Sequence, residues 1–412
     1  WKDAGFDFTD KTRMDCLICH DTTGAYSKFP THAGHPLYEP TERKGRTHQP
    51  PDLGRIARAV GETSRETCGA CHFYGGGGDN VKHGDLSSAL VAPAKHVDVH
   101  MAPDGADMQC SDCHNADQHH VPGSRSFMKA RDTAGIDRPG PTYKSHDSCE
   151  SCHGTGPHQE ARLNEHTDRV ACQTCHIPEF AKGGIATKTW WDWSTAGRLD
   201  ANGEPIVERG PHGHATYMST KGDFEYEENV TPEYAWFDGA VDYTLLDETI
   251  DPSGVVPVNR LSGGPDQADS RIWPFKVMRG RQPYDKVNET LLVNHVFGKD
   301  DTALWTNFDF DKALRAGTDY AGQPFSGEYG FVETTMHWPI THMVAPAEEA
   351  LGCADCHARG GESRMAGIEG IYMPGRDSFP WLGLAGWTAA GLTLAGAVGH
   401  GLILLFRRRR TQ

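Results

Sequence analysis

The sequence predicts a mainly α-helical protein with extensive loops, wrapped around covalently attached cofactors and closed by one C-terminal transmembrane helix. Three observations predict it. The pentapeptide pattern CxxCH occurs six times in 412 residues. Forty-seven glycines and twenty-five prolines accompany a hydrophobic content of only 37%. The chain also ends in a long stretch without charge, followed by four arginines.

The motifs come first because they name the cofactor. They are Cys16, Cys19, His20; Cys68, Cys71, His72; Cys110, Cys113, His114; Cys149, Cys152, His153; Cys172, Cys175, His176; and Cys353, Cys356, His357. A CxxC pair serves a redox-active dithiol, half of a zinc site, or covalent attachment of haem c, and only the last demands histidine directly after the second cysteine. Two thioethers to the porphyrin edge place the next imidazole under the iron as the proximal ligand. Zinc knuckles pair CxxC units without needing that histidine, so haem c is the reading that fits every copy. The six motifs consume all twelve cysteines and leave none for a disulfide.

Composition follows from this. Six cofactors in 412 residues leave about 69 residues for each, so the haems themselves form much of the core, with helices and loops around them and little regular sheet. The many glycines and prolines fit turns and close backbone approaches. The formal charge of −16, increased by haem propionates, argues against nucleic acid and for redox partners and small substrates. Residues 43–65 reverse the sign locally, with Arg43, Lys44, Arg46, Arg55, Arg58 and Arg65 against Asp52 and Glu62. That segment is a solvated surface or a guide for an anion.

Residues 1–180 carry five motifs, 181–352 carry none, 353–378 hold the sixth and its tail, and 379–412 form the membrane anchor. Within the first part, DLGRIARAVGETS predicts a short helix from an Asp52 N-cap toward Gly61. GGGGD at 75–79 predicts either close backbone approach to a porphyrin or a flexible loop. The motif-free stretch is aromatic-rich, with KTWWDW at 188–193 and Pro-aromatic turns WPF at 273–275 and WPI at 338–340. It predicts a folded segment packed on the haems. KALRAG at 312–317 reads as a helix end stopped by glycine.

Seventeen histidines lie outside the motifs. A second histidine on the far face of the iron is the usual sixth ligand of low-potential carriers. The contexts that suggest it are His35, His83, His100, the neighbours His119 and His120 with His120 preferred, His158, His166 and His342. For any one of these, a surface or hydrogen-bonded histidine is the competing reading.

Trp381 to Phe406 gives 26 residues without Lys, Arg, Asp or Glu. As a helix this spans about 39 Å at about 1.5 Å per residue, enough for a hydrocarbon core of about 30 Å. Pro380 suits the start, Trp381 and Trp387 suit an interfacial belt, and Arg407 to Arg410 keep the C-terminus cytoplasmic. His400 within it is half of a b-haem site at most, or a contact to a neighbouring helix.

The runs DCLICHDTTGAYSKFP, CHFYGGGGDNVKHGDL, VDVHM, VACQTCHIPEFA, KVMRGRQPYDKVNETLLVNHVFG and SGEYGFVETTMHWPITHMVAPAEEALGCADCH resemble the octahaem c-type cytochromes of the tetrathionate reductase family, from about residue 1 to 360. The resemblance implies a periplasmic enzyme that reduces tetrathionate to thiosulfate, and nitrite or hydroxylamine in assays, with eight haems where this chain has six motifs. It implies that the chain starts in mid-domain, with two motifs upstream, the catalytic one among them. It also implies a lysine as distal ligand of the catalytic haem, for which Lys28 is the first choice and Lys11 the second; a neutral amine is needed to bind iron. The rival function is a membrane-tethered relay from the quinol pool to periplasmic reductases, with no substrate of its own.

Overall fold

The computed structural model describes residues 15–29, 34–116, 119, 121, 127–128, 148–210 and 213–410. Short helices carry the motifs. The first, α1 (Cys16–His20), is capped by the Asp15 carboxylate, which accepts from the Leu17 amide. A hairpin of β1 (Thr41–Arg43) and β2 (Arg46–His48) then presents Arg43, Lys44 and Arg46. Its two turn residues, Lys44 and Gly45, have φ of 52° and 71°, the left-handed pair that a two-residue hairpin turn requires. The helix expected after Asp52 is α2 (Leu53–Ala57), with the Asp52 side chain accepting from the Arg55 amide at 2.8 Å. A Ser64–Thr67 capping box opens α3 (Arg65–His72), and α4 (Cys110–Cys113) follows. After the two-residue strand β3 (Phe127–Met128) come α5 (Glu150–His153), α6 (Ala161–His166) and α7 (Cys172–His176). Each is eight residues or fewer, below the roughly 12–15 residues at which an isolated helix begins to hold by itself. Their stability therefore comes from what they pack against.

The expectation of a mainly α-helical fold with minor sheet is wrong: the motif-free part builds a nine-stranded mixed sheet, with no comparable mass of helix among its described residues. That part begins with β4 (Thr187–Asp192), β5 (Val207–Arg209), β6 (Ala215–Met218), β7 (Gly222–Glu227), β8 (Glu233–Phe237) and β9 (Ala240–Tyr243). It continues through β10 (Val256–Pro257), β11 (Asn259–Leu261), β12 (Arg271–Asp285), β13 (Thr290–Leu291) and β14 (Tyr329–Pro339). Nine of the strands join one mixed sheet in the order β10-β14-β12-β4-β7-β6-β5, with β8 and β13 also paired to β12. The long antiparallel pair β12–β14 is its spine, registered from Phe275 opposite Pro339 to Asp285 opposite Tyr329; β4 joins β12 in parallel, Trp190 opposite Arg279. The physical reason is side-chain type. These strands are rich in Trp, Tyr, Phe, Val and Thr, which fit a pleated and half-buried surface. WPF and WPI belong to this spine and are not turns: Pro274 lies within β12, and its carbonyl accepts from the Ile340 amide at 3.0 Å.

Helix α8 (Leu304–Asn307) leads into α9 (Phe310–Ala321), which runs straight through Gly317 and stops at Gly322, φ 67°. Gly317 is there for clearance: a Cβ would stand 2.3 Å from the Val293 carbonyl oxygen. The sheet's buried apolar clusters include Phe237, Val241, Phe275 and Val277 on one set of strands, and Ile250, Val256 and Val332 on another. A separate cluster, Phe73, Leu90, Val97 and Met343, joins the loop after α3 to the segment after β14. That segment thereby reaches the motif-bearing helices.

By contact density the chain divides into two compact units, Trp1–Leu351 and Gly352–Gln412. The second holds α10 (Cys353–Cys356) and α11 (Pro380–Arg410). The latter has mean hydropathy 1.8 in its most apolar 18-residue window and buries none of that window. It is long and apolar enough to cross a membrane and fits a membrane anchor.

Candidate haem-binding sites

All twelve cysteines are free thiols, and motif helices from distant parts of the sequence lie side by side. Cys68 and Cys110 are in side-chain hydrogen-bond contact, which pulls the Cys68 thiol down to about 7. Cys149 and Cys172 are joined the same way, with Cys172 also drawn down to about 7. The second motif thus abuts the third, and the fourth abuts the fifth.

Among the described residues, four motif histidines lie close to a second histidine. His20 lies opposite His119 with ring centres 6.4 Å apart, His114 opposite His342 at 6.2 Å, His153 opposite His100 at 6.0 Å, and His176 opposite His158 at 5.8 Å. An imidazole nitrogen binds a first-row metal at about 2 Å, and the ring centre stands about 1 Å further back, so two axial imidazoles set their centres about 6 Å apart. The four spacings fit an iron between each pair. For His158 and His176 the rings are nearly parallel, 13° apart, with their Nε2 atoms aimed at each other across 3.5 Å.

Backbone and side-chain acceptors fix the rings. His20 Nδ1 bonds the Gly61 carbonyl at 2.8 Å, and His357 Nδ1 bonds the Pro374 carbonyl at 2.7 Å. His158 Nδ1 lies 3.1 Å from Asn164 Oδ1, and the Asn164 amide group in turn donates to the His158 carbonyl. At His20 and His158 this leaves Nε2 for the facing histidine. Burial first, then the neighbouring His158, His153 and His100, lower the His176 pKa, as two histidine pairs packed together demand.

Of the histidines the sequence offered as distal ligands, the structure thus brings His100, His119, His158 and His342 to motif histidines. His120 lies outside the described residues, as does Lys11. His35 stacks on Tyr38, His83 packs edge-on to Trp338 at 5.1 Å, and His166 Nδ1 bonds the Arg162 carbonyl. Lys28 forms an ion pair with Asp15 at 2.9 Å, and Tyr26 donates its hydroxyl to the same carboxylate. Although burial opposes it, these partners hold Asp15 below the usual carboxylate range.

Sequence reasoning missed the supports of the ligand loops. Asp98 is buried and accepts from the His100 and Met101 amides on one oxygen and from the Met343 and Val344 amides on the other. Lys276, from the middle of β12, reaches the loop after α3 and donates to the Val81 and Lys82 carbonyls and to the Thr187 hydroxyl. Burial draws its pKa down to about 7. The available signal was D-V-H at 98–100, an acid that can turn back on the amide two residues ahead.

Comparison with known proteins agrees with this chemistry. Residues 188–360 match the family described as cytochrome c, bacterial. The crystal structure of an octahaem cytochrome c from Shewanella oneidensis superimposes with a TM-score of 0.74 at 39% identity, over 90% of this chain and 79% of that one. No curated protein matches the chain significantly. With that identity over nearly its whole length and a CxxCH at each paired histidine, the chain belongs to the octahaem cytochrome c family, whose haem c is bound covalently.

Proposed function

We propose that the protein carries electrons on six covalently attached haems and delivers them to a small anion at the periplasmic face of the cytoplasmic membrane. The observation that carries this is the set of four facing histidine pairs on motif helices that abut one another. Cys16 to His20 and the five matching motifs would hold the haems, with His20, His72, His114, His153, His176 and His357 as proximal ligands and His119, His342, His100 and His158 as distal ones. When bound, the haems supply one-electron transfer at low potential. At the four paired sites the chain's own residues would supply a histidine on each face, and Nδ1 hydrogen bonds such as that of His20 to the Gly61 carbonyl fix the imidazole orientation.

The substrate reading is tetrathionate, S4O6²⁻, whose central sulfur-sulfur bond takes two electrons and gives two thiosulfates; nitrite and hydroxylamine are the other acceptors of this class. The exposed hairpin cations Arg43, Lys44 and Arg46 would draw in such an anion. A relay without its own substrate is favoured by two features: Lys28 is tied to Asp15, and the four paired sites carry histidine on both sides. Mixing the fully reduced protein with tetrathionate separates the two. Reoxidation of the haems with release of two thiosulfates per pair of electrons is expected for the reductase. Haems that stay reduced with tetrathionate yet reoxidise with a soluble cytochrome would mark a relay.

A further inference from the structure

The segment after β14 is held by two buried carboxylates, and they act on it differently. Asp98 binds only backbone amides there, Met343 and Val344. Asp85, 1% exposed, accepts from the Thr341 amide at 2.8 Å, the His342 amide at 2.9 Å and the His342 ring at Nδ1, 3.1 Å. The Thr341 hydroxyl also lies 3.2 Å from that Nδ1, and the ring's centre stands 6.2 Å from that of His114. The Nδ1 acceptors at His20, His357 and His158 are neutral, two carbonyls and an amide. At His342 the acceptor is a full negative charge in a site where solvent cannot screen it. Burial favours its neutral form, yet the bonds from His342 and Thr341 keep Asp85 below the ordinary carboxylate range. Lys276 and His83 stand near enough to feel the charge.

We infer that Asp85 is a positioning residue that sets the potential of the haem attached at Cys110 and Cys113. This rests on the reading of His342 and His114 as its axial ligands. A carboxylate on Nδ1–H fixes the tautomer, leaves Nε2 to the iron, and makes the imidazole a stronger donor. A more anionic ligand stabilises the ferric state, so this haem belongs to the low-potential end of the set. Asp98 holds the same segment but touches no ring nitrogen of His342, so it has no such electronic effect.

The experiment uses the full haem-loaded chain and potentiometric titration followed by absorbance and electron paramagnetic resonance. His342→Ala first identifies the haem, as the one that turns high-spin. In Asp85→Asn that haem should remain low-spin and shift to higher potential while the others keep theirs; in Asp98→Asn it should not shift. An unchanged potential in Asp85→Asn, or an equal shift in Asp98→Asn, overturns the inference. Should Asp85→Asn fail to assemble, the unaltered protein still decides: the identified haem must titrate in the lower half of the set, and a place in the upper half overturns it. If His342→Ala turns no haem high-spin, the ligand assignment itself is wrong and the inference falls with it, while a normal haem content in that variant leaves the multihaem reading standing.

Discussion

His158→Ala is expected to convert one haem in six from low-spin to high-spin, about a sixth of the haem absorbance, and to open that iron to carbon monoxide. The effect is large because the ring faces His176 directly and its loop stays in place without it. His158 and His176 stack within 13° with their Nε2 atoms facing, and the loop that carries His158 is locked by reciprocal bonds to Asn164. Alanine removes the ligand without removing the lock, because the Asn164 bonds to the His158 backbone remain. Absorbance and electron paramagnetic resonance of the oxidised protein read the change. A low-spin spectrum identical to that of the parent protein would mean that His158 is not a ligand.

Deleting residues 379–412 is expected to move the protein entirely from the membrane fraction to the soluble one. Helix α11 leaves Leu384, Leu392, Leu394, Leu405 and Phe406 more than 60% exposed. At about 1.5–3 kcal/mol for each such side chain withdrawn from water, together they favour the bilayer by on the order of 10 kcal/mol. Four arginines in its last turn, Arg407 to Arg410, resist transfer across the hydrocarbon. Haem-stained gels of separated fractions measure the distribution. A parent chain already found wholly in the soluble fraction would remove the anchor.

How much of this was legible depended on the range over which the physics acts. The attachment motifs and the Asp52 cap are local patterns, and the apolar run of α11 is a property of composition, so each could be read directly. The sheet was hidden because its central strand alternates poorly. In RIWPFKVMRGRQPYD the residues Ile272 and Pro274 to Val277 are all buried, and a strand covered on both faces loses the period of two that marks a half-exposed one. Its prolines then read as turns. The sequence preferred His120 over its neighbour, whereas it is His119, with φ 66°, whose ring centre lies 6.4 Å from that of His20; a tertiary approach of this kind leaves no local pattern. Asp85 and Asp98 were silent for another reason. Their partners at 341–344 lie about 250 residues away in the chain, and no local pattern announces such a contact.

The most direct test of the multihaem reading is the mass of the denatured full chain after expression with a haem-attachment system. The account predicts the polypeptide mass plus six haem c groups, each held through the two cysteines of one CxxCH motif. A mass lower by one or more porphyrins with every motif intact, or one matching bound zinc, would contradict it.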